Sequence, residues 1–117
     1  MKEFLLLFRS DDAERNHLSP EQMQENMQHW QQWIGGIAQK EQLVGAQPLE
    51  ASGKVMRGTA KKITDGPFME SKEVLGGYVL VKVKDMDEAI KISEGCPILQ
   101  MKSGTVEIRE IGTMSAM

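Results

Sequence analysis

Cysteine and histidine are nearly absent: Cys96, His17 and His29 are the whole supply in 117 residues. A lone thiol excludes an intrachain disulfide and a Cys-cluster zinc site, and two imidazoles argue against a multi-His metal site. No metal and no cofactor are expected. The glycine patterns GxGxxG and GxxxxGK[ST] are missing too, so no nucleotide-phosphate loop is read. Basic charge is not in excess. Fourteen Lys and Arg stand against 17 Asp and Glu, a net −3 with pI near 5.4, which argues against a nucleic-acid partner bound through bulk charge. Long apolar runs are lacking: Phe4–Phe8 falls far short of the ~20 residues that span a bilayer. Lys2 is the only basic residue ahead of that run, and Arg9, Asp11 and Asp12 follow it at once, unlike a signal peptide. The expectation is a cytoplasmic protein with no membrane partner. There is no internal repeat, linker or low-complexity tract.

What is present suffices for one core. Leu, Ile, Val and Phe make up 27 of the 117 residues, above the level that flags disorder, and the length fits a single domain over 1–117. Glu3–Arg9 reads as a strand covered on both faces, broken by Ser10-Asp11-Asp12. Ser19-Pro20-Glu21-Gln22 is a helix start, with Ser19 as cap, Pro20 at the first helical position and Gln22 completing a capping box. Met23, Met27, Trp30, Ile34 and Ile37 form one helical stripe, opposite a Gln-rich face, and the helix is expected to end near Gln42. Leu43–Pro48 reads as an edge strand, and Lys54–Ile63 as one or two strands about Gly58. Asp65-Gly66-Pro67-Phe68 has turn chemistry. Gly76–Val83 is the clearest strand, with Val79, Val81 and Val83 on one face and Tyr78, Leu80 and Lys82 on the other. Asp85 and Glu88 open a second helix, Gly95-Cys96-Pro97 ends it, and Thr105–Ile111 is the last strand.

Strand, helix, two or three strands, helix, strand is the order of a ferredoxin-like split βαβ fold of the α+β class, an antiparallel sheet with two helices on one face. Two helices cover one face only. The apolar residues on the other face then require a second copy, so a homodimer packed sheet against sheet is expected.

The densest chemistry lies in Asp65-Gly66-Pro67-Phe68-Met69-Glu70-Ser71-Lys72-Glu73, followed by Leu75-Gly76-Gly77-Tyr78. Asp65 is a candidate general base or simply a turn cap. Glu70, Lys72 and Glu73 are candidate ligand contacts or solvated hairpin charges. Gly76 and Gly77 relieve backbone crowding or admit a ligand. This run closely resembles the signature of the YCII-related family, in the branch that carries the DGPF sequence. The opening apolar strand and the Trp-containing, Gln-rich helix resemble that branch as well, so the likeness covers essentially the whole chain. It implies a ferredoxin-like α+β fold that dimerises into a barrel. It also implies that Asp65, Gly66, Pro67, Phe68, Glu70, Lys72 and Glu73 are motif positions. Some relatives act on small ring compounds, and a His–Asp pair is suspected in another branch; neither histidine here falls in the matched motif.

Outside the motif, His17 is a candidate proton shuttle or surface decoration. His29 flanks the apolar stripe. Trp30 lies on that stripe, whereas Trp33 is one position off it and is the more interesting candidate for an aromatic ligand. Arg9 and Arg57 are surface cations or anion contacts, and residues 54–72 carry a local +3 that favours a small anionic molecule. Cys96 is read as an apolar filler. Two functions stay open. One is a cofactor-free acid/base enzyme on a small anionic or aromatic metabolite, with Asp65 as base, His17 as a further candidate and Arg9, Trp33, Phe68, Glu70, Lys72 and Tyr78 as ligand contacts. The other is a non-catalytic dimeric module that binds a metabolite or a partner.

Overall fold

In the computed structural model, which describes residues 1–66 and 73–116, the apolar opening of the chain becomes the centre of a sheet. Strand β1 spans Lys2–Asp11. Phe4, Leu6, Phe8 and Ser10 are buried on one face, while Leu5, Leu7 and Arg9 are half-buried on the other. This is the period-2 alternation of a strand. β1 pairs antiparallel with β5, Glu73–Val83, and with β6, Thr105–Glu110; β2, Leu43–Pro48, adds to the far side of β5. The order β2-β5-β1-β6 interleaves two βαβ units and is the ferredoxin-like arrangement. The fold is therefore α+β with an antiparallel sheet, as the element order predicts.

The helices follow from their caps. α2, Pro20–Gln39, starts in the expected capping box: Gln22 N–H donates to Ser19 Oγ at 3.1 Å and Ser19 N–H to Gln22 Oε1 at 2.9 Å. It ends before Gln42 because Glu41 adopts φ 59° and turns the chain, after which Gln42 joins the sheet, its carbonyl accepting from Lys82 N–H at 2.7 Å. α3, Met86–Ser93, is capped by Asp85, which accepts from Glu88 N–H at 3.0 Å. The break expected within Ser10-Asp11-Asp12 falls between Asp11 and Asp12. Ser10 and Asp11 stay in register with Val74 and Glu73, and Asp11 Oδ1 accepts from Ala13 N–H at 2.8 Å to start a one-turn helix, α1, Asp12–Asn16.

α2 and α3 lie on the face of Phe4, Leu6, Phe8, Val79, Val81 and Val83, and the core sits between them and the sheet. The opposite face carries half-buried Leu5, Leu7, Tyr78 and Leu80. It also carries a charge cluster in which Arg9 Nη1 meets Glu107 Oε1 at 2.6 Å and Arg109 Nη1 meets Glu107 Oε2 at 3.1 Å. These two bonds, the Arg109 one foremost, hold the Glu107 carboxyl below its ordinary range. β3, Gly53–Arg57, and β4, Lys62–Gly66, pair only with each other among the described strands. Gly58, at φ 62°, occurs in the turn between them, as its place in the sequence leads one to expect.

Candidate functional site

The apolar stripe of α2 divides into two halves. In the C-terminal half, Ile37 is buried and Trp30, Trp33 and Ile34 pack on the core. Phe8, Trp30 and Trp33 form an edge-to-face trio with centroids 5.0, 5.8 and 5.7 Å apart. In the N-terminal half Met23 and Met27 remain 56% and 60% exposed. Their stripe continues, but the sheet beneath them is not filled.

The gap is a cleft of about 720 Å³ between α2, the sheet and the segment Ile98–Met101. Its walls include Met27, Trp30 and Ile34 from α2, Phe8 and Ser10 from β1, Gly76, Gly77, Tyr78 and Val79 from β5, and Ala46 to Pro48 from β2. The paired glycines explain why the cleft is open here. A methyl on Gly77 would stand 2.9 Å from the Gln47 carbonyl oxygen and 3.3 Å from Pro48 Cα, so the close approach of β2 requires glycine. A methyl on Gly76 would meet Arg15 Nη1 at 3.2 Å; without one, the guanidinium lies close over β5.

α1 is held in place from one side. Glu14 accepts from Ser103 Oγ at 2.6 Å, Ser103 N–H at 3.0 Å and Lys102 N–H at 2.9 Å. The Ser103 hydroxyl and amide lower the Glu14 carboxyl from its ordinary value. This anchor fixes the next residue, Arg15, at the cleft.

The residues singled out in the sequence are not gathered in one place. Tyr78 is part of the strand that floors the cleft, but its side chain is on the opposite face of the sheet with Leu80. Trp33 stands behind it, touching Trp30 and Phe8, with Nε1–H donating to the Ile92 carbonyl at 3.0 Å and so tying α2 to α3. Arg9 is on the opposite face, paired with Glu107. His17 is the exposed C-cap of α1, its N–H on the Glu14 carbonyl at 3.3 Å, and does not line the cleft. Asp65 is on β4, its side chain 86% exposed and paired with Lys54, beside a shallow hollow formed with Ser52, Gly53 and Gly66. Phe68, Glu70 and Lys72 lie outside the described residues. Cys96 is buried, and desolvation pushes its thiol up to about 12, which suits a core filler and not a nucleophile. Among the described residues no group of three or more His, Cys, Asp or Glu could hold a metal, and no helix is long and apolar enough to cross a membrane.

Arg15, Ser10 and Met27 were missed by sequence reasoning. The Met stripe was legible, but its exposure was not. Arg15 sits in a segment that reads as a polar loop and carries no local signal.

Comparison with known proteins adds two findings. The model of the family described as YCII-related domain matches residues 14–115, while no curated protein matches. One solved structure to which the chain is similar is 5-chloro-2-hydroxyhydroquinone dehydrochlorinase (TftG) from Burkholderia phenoliruptrix AC1100, in complex with 2,5-dihydroxybenzoquinone. It is 12% identical over 97% of this chain and 97% of that one, with a TM-score of 0.48.

Proposed function

The chain belongs to the YCII-related domain family, and from that premise we propose that it binds a small anionic or aromatic metabolite, without a cofactor, in the cleft beneath the N-terminal half of α2. The observation that carries this reading is the cleft itself: about 720 Å³, within the range of small-molecule sites, with aromatic and aliphatic walls and few polar groups. Phe8 and Trp30 offer ring edges and faces to a planar ligand. Met23 and Met27 are unbranched and can close over ligands of different outline.

Binding is favoured over acid/base catalysis. A general base must come within about 3 Å of the proton it takes, directly or through one water. Asp65 lies on β4 and not in a turn, pairs with Lys54 in solvent and does not line the cleft. We further propose that the functional unit is a homodimer, because Leu5, Leu7, Tyr78 and Leu80 make an apolar sheet face that the two longer helices leave uncovered.

The test is a thermal-shift screen of small aromatic acids and neutral aromatics on the wild-type protein and on Gly35→Leu. Gly35 lines the cleft, and a Cβ there meets nothing within 4 Å. Leucine should therefore fill the cleft without straining the helix. Ligands that raise the melting temperature of the wild type should lose that effect in the variant. Equal stabilisation of both proteins would refute the cleft as the site. Light scattering on the same samples should give about 26 kDa for a pair of 13.1 kDa chains; a stable 13.1 kDa species would refute the dimer.

A further inference from the structure

We propose that the cleft takes its ligand as a carboxylate, with the negative group held between Arg15 and Ser10 and the apolar body laid against Trp30 and Phe8. This deepens, and rests on, the reading of the cleft as a small-molecule site.

Arg15 is the only charged residue among the described residues that line the cleft. Three carboxylates lie near it in sequence, and each is engaged elsewhere. Asp11 Oδ1 accepts from Ala13 N–H at 2.8 Å, Asp12 Oδ2 from Asn16 Nδ2 at 3.3 Å, and Glu14 from Ser103 and Lys102. Among the described residues Arg15 itself forms no ion pair and no side-chain hydrogen bond. Its guanidinium lies over Gly76, where the missing side chain leaves the fork open toward the cleft. A planar fork with five donors and no acceptor is matched best by a carboxylate, which it can grip with two parallel bonds.

Ser10 is the second, independent observation. It is 3% exposed and lines the same cleft, yet its hydroxyl makes no hydrogen bond within the described protein. No fully enclosed polar atom of the described side chains lacks a partner, so this hydroxyl must open on the cleft. A buried hydroxyl facing a largely apolar cavity needs a polar partner. An anionic oxygen answers Ser10 and Arg15 together. A neutral apolar ligand would answer neither, and would strip water from both.

The probes are 2-naphthoate and its neutral amide, 2-naphthamide, titrated at pH 7 into the intact ¹⁵N-labelled protein while the backbone amides of the cleft and the Trp30 indole N–H are followed by NMR. Wild type should bind the acid at least about tenfold tighter than the amide, as expected for a charge-assisted hydrogen-bonded pair. Arg15→Gln should abolish that preference and leave amide binding within about twofold. Arg15→Lys should restore part of it, since a point charge replaces the fork. Ser10→Ala should weaken the acid by about three- to tenfold with the amide little changed. Equal affinity for acid and amide in wild type, or an acid preference that survives Arg15→Gln, would overturn this inference and leave the cleft reading standing. If neither probe moves the cleft signals at millimolar concentration, the cleft reading fails and this inference with it.

Discussion

Gly104→Ala should be among the most damaging single-methyl changes in this protein. Gly104 follows the loop that links the segment Pro97–Gln100 to β6. A methyl there would overlap the Ile98 carbonyl oxygen, stand 2.8 Å from the Ile98 carbonyl carbon and 3.2 Å from the Met101 carbonyl oxygen. The obstacle is backbone, which cannot rotate away as a side-chain tip can. The Ile98 oxygen is itself engaged, accepting from Met101 N–H at 3.1 Å, and Gly104 N–H donates to the Met101 carbonyl at 3.0 Å. Relieving the overlap must break or stretch both bonds, each worth about 0.5–1.5 kcal/mol, and adds the strain of overpacking, about 1–3 kcal/mol. A loss of roughly 2–6 kcal/mol follows, which in a chain of this size lowers the melting temperature by about 8–24 °C. The consequence reaches the cleft, because Glu14 holds α1 through Ser103 and Lys102, the two residues just before Gly104. Affinity for an acid at Arg15 should fall in the variant even at temperatures where it is folded. Gly36→Ala is the matched control. It lies inside α2 with nothing within 4 Å of an added Cβ, so alanine should stabilise by roughly 0.5–1 kcal/mol. Calorimetry on the two variants decides the matter. A Gly104→Ala melting point within about 2 °C of wild type would show that the loop opens freely and that the backbone contact carries no strain.

Two further outcomes are expected. The Cys96 thiol, buried and raised to about 12, should not react with a disulfide reagent at pH 8 in the folded protein and should react with one equivalent in guanidinium; rapid reaction before unfolding would refute its burial. Glu107 is held below its ordinary value of 4.5 by Arg109 and Arg9. The folded form therefore binds fewer protons than the unfolded one, and the stabilisation is fully present above pH 4.5 and lost as pH falls through the folded value. Glu107→Gln should lower the melting temperature at pH 7, where that stabilisation is present, and flatten the acid limb below pH 4.5 so that the two proteins converge there; an unchanged acid limb would rule out this linkage.

The sequence by itself determined the architecture. The apolar run Phe4–Phe8, the alternation in Val79–Val83, the capping box at Ser19 and Gln22, the cap at Asp85 and the turn glycine Gly58 are local devices, and each acts where its residues stand. Local periodicity and cap chemistry need no knowledge of distant chain, so they can be read directly. The run from Asp65 to Glu73 likewise identified the family. What the sequence did not determine is where chemistry converges. The stripe Met23–Met27–Trp30–Ile34–Ile37 reads as uniformly buried. Its first half is exposed over a cleft because Gly76 and Gly77, some fifty residues away, place no side chains beneath it. Arg9 and Arg15 look alike in sequence, yet the register of β1 with β6 gives Arg9 to Glu107, while the Glu14 anchor leaves Arg15 at the cleft. Trp33, the tryptophan off the stripe, ties two helices together through the Ile92 carbonyl, and Trp30, on the stripe, faces the cavity. A cleft is a property of several strands and helices meeting at one place, and only strand order and register bring Phe8, Ser10, Arg15 and Gly76 to the wall of the same cavity.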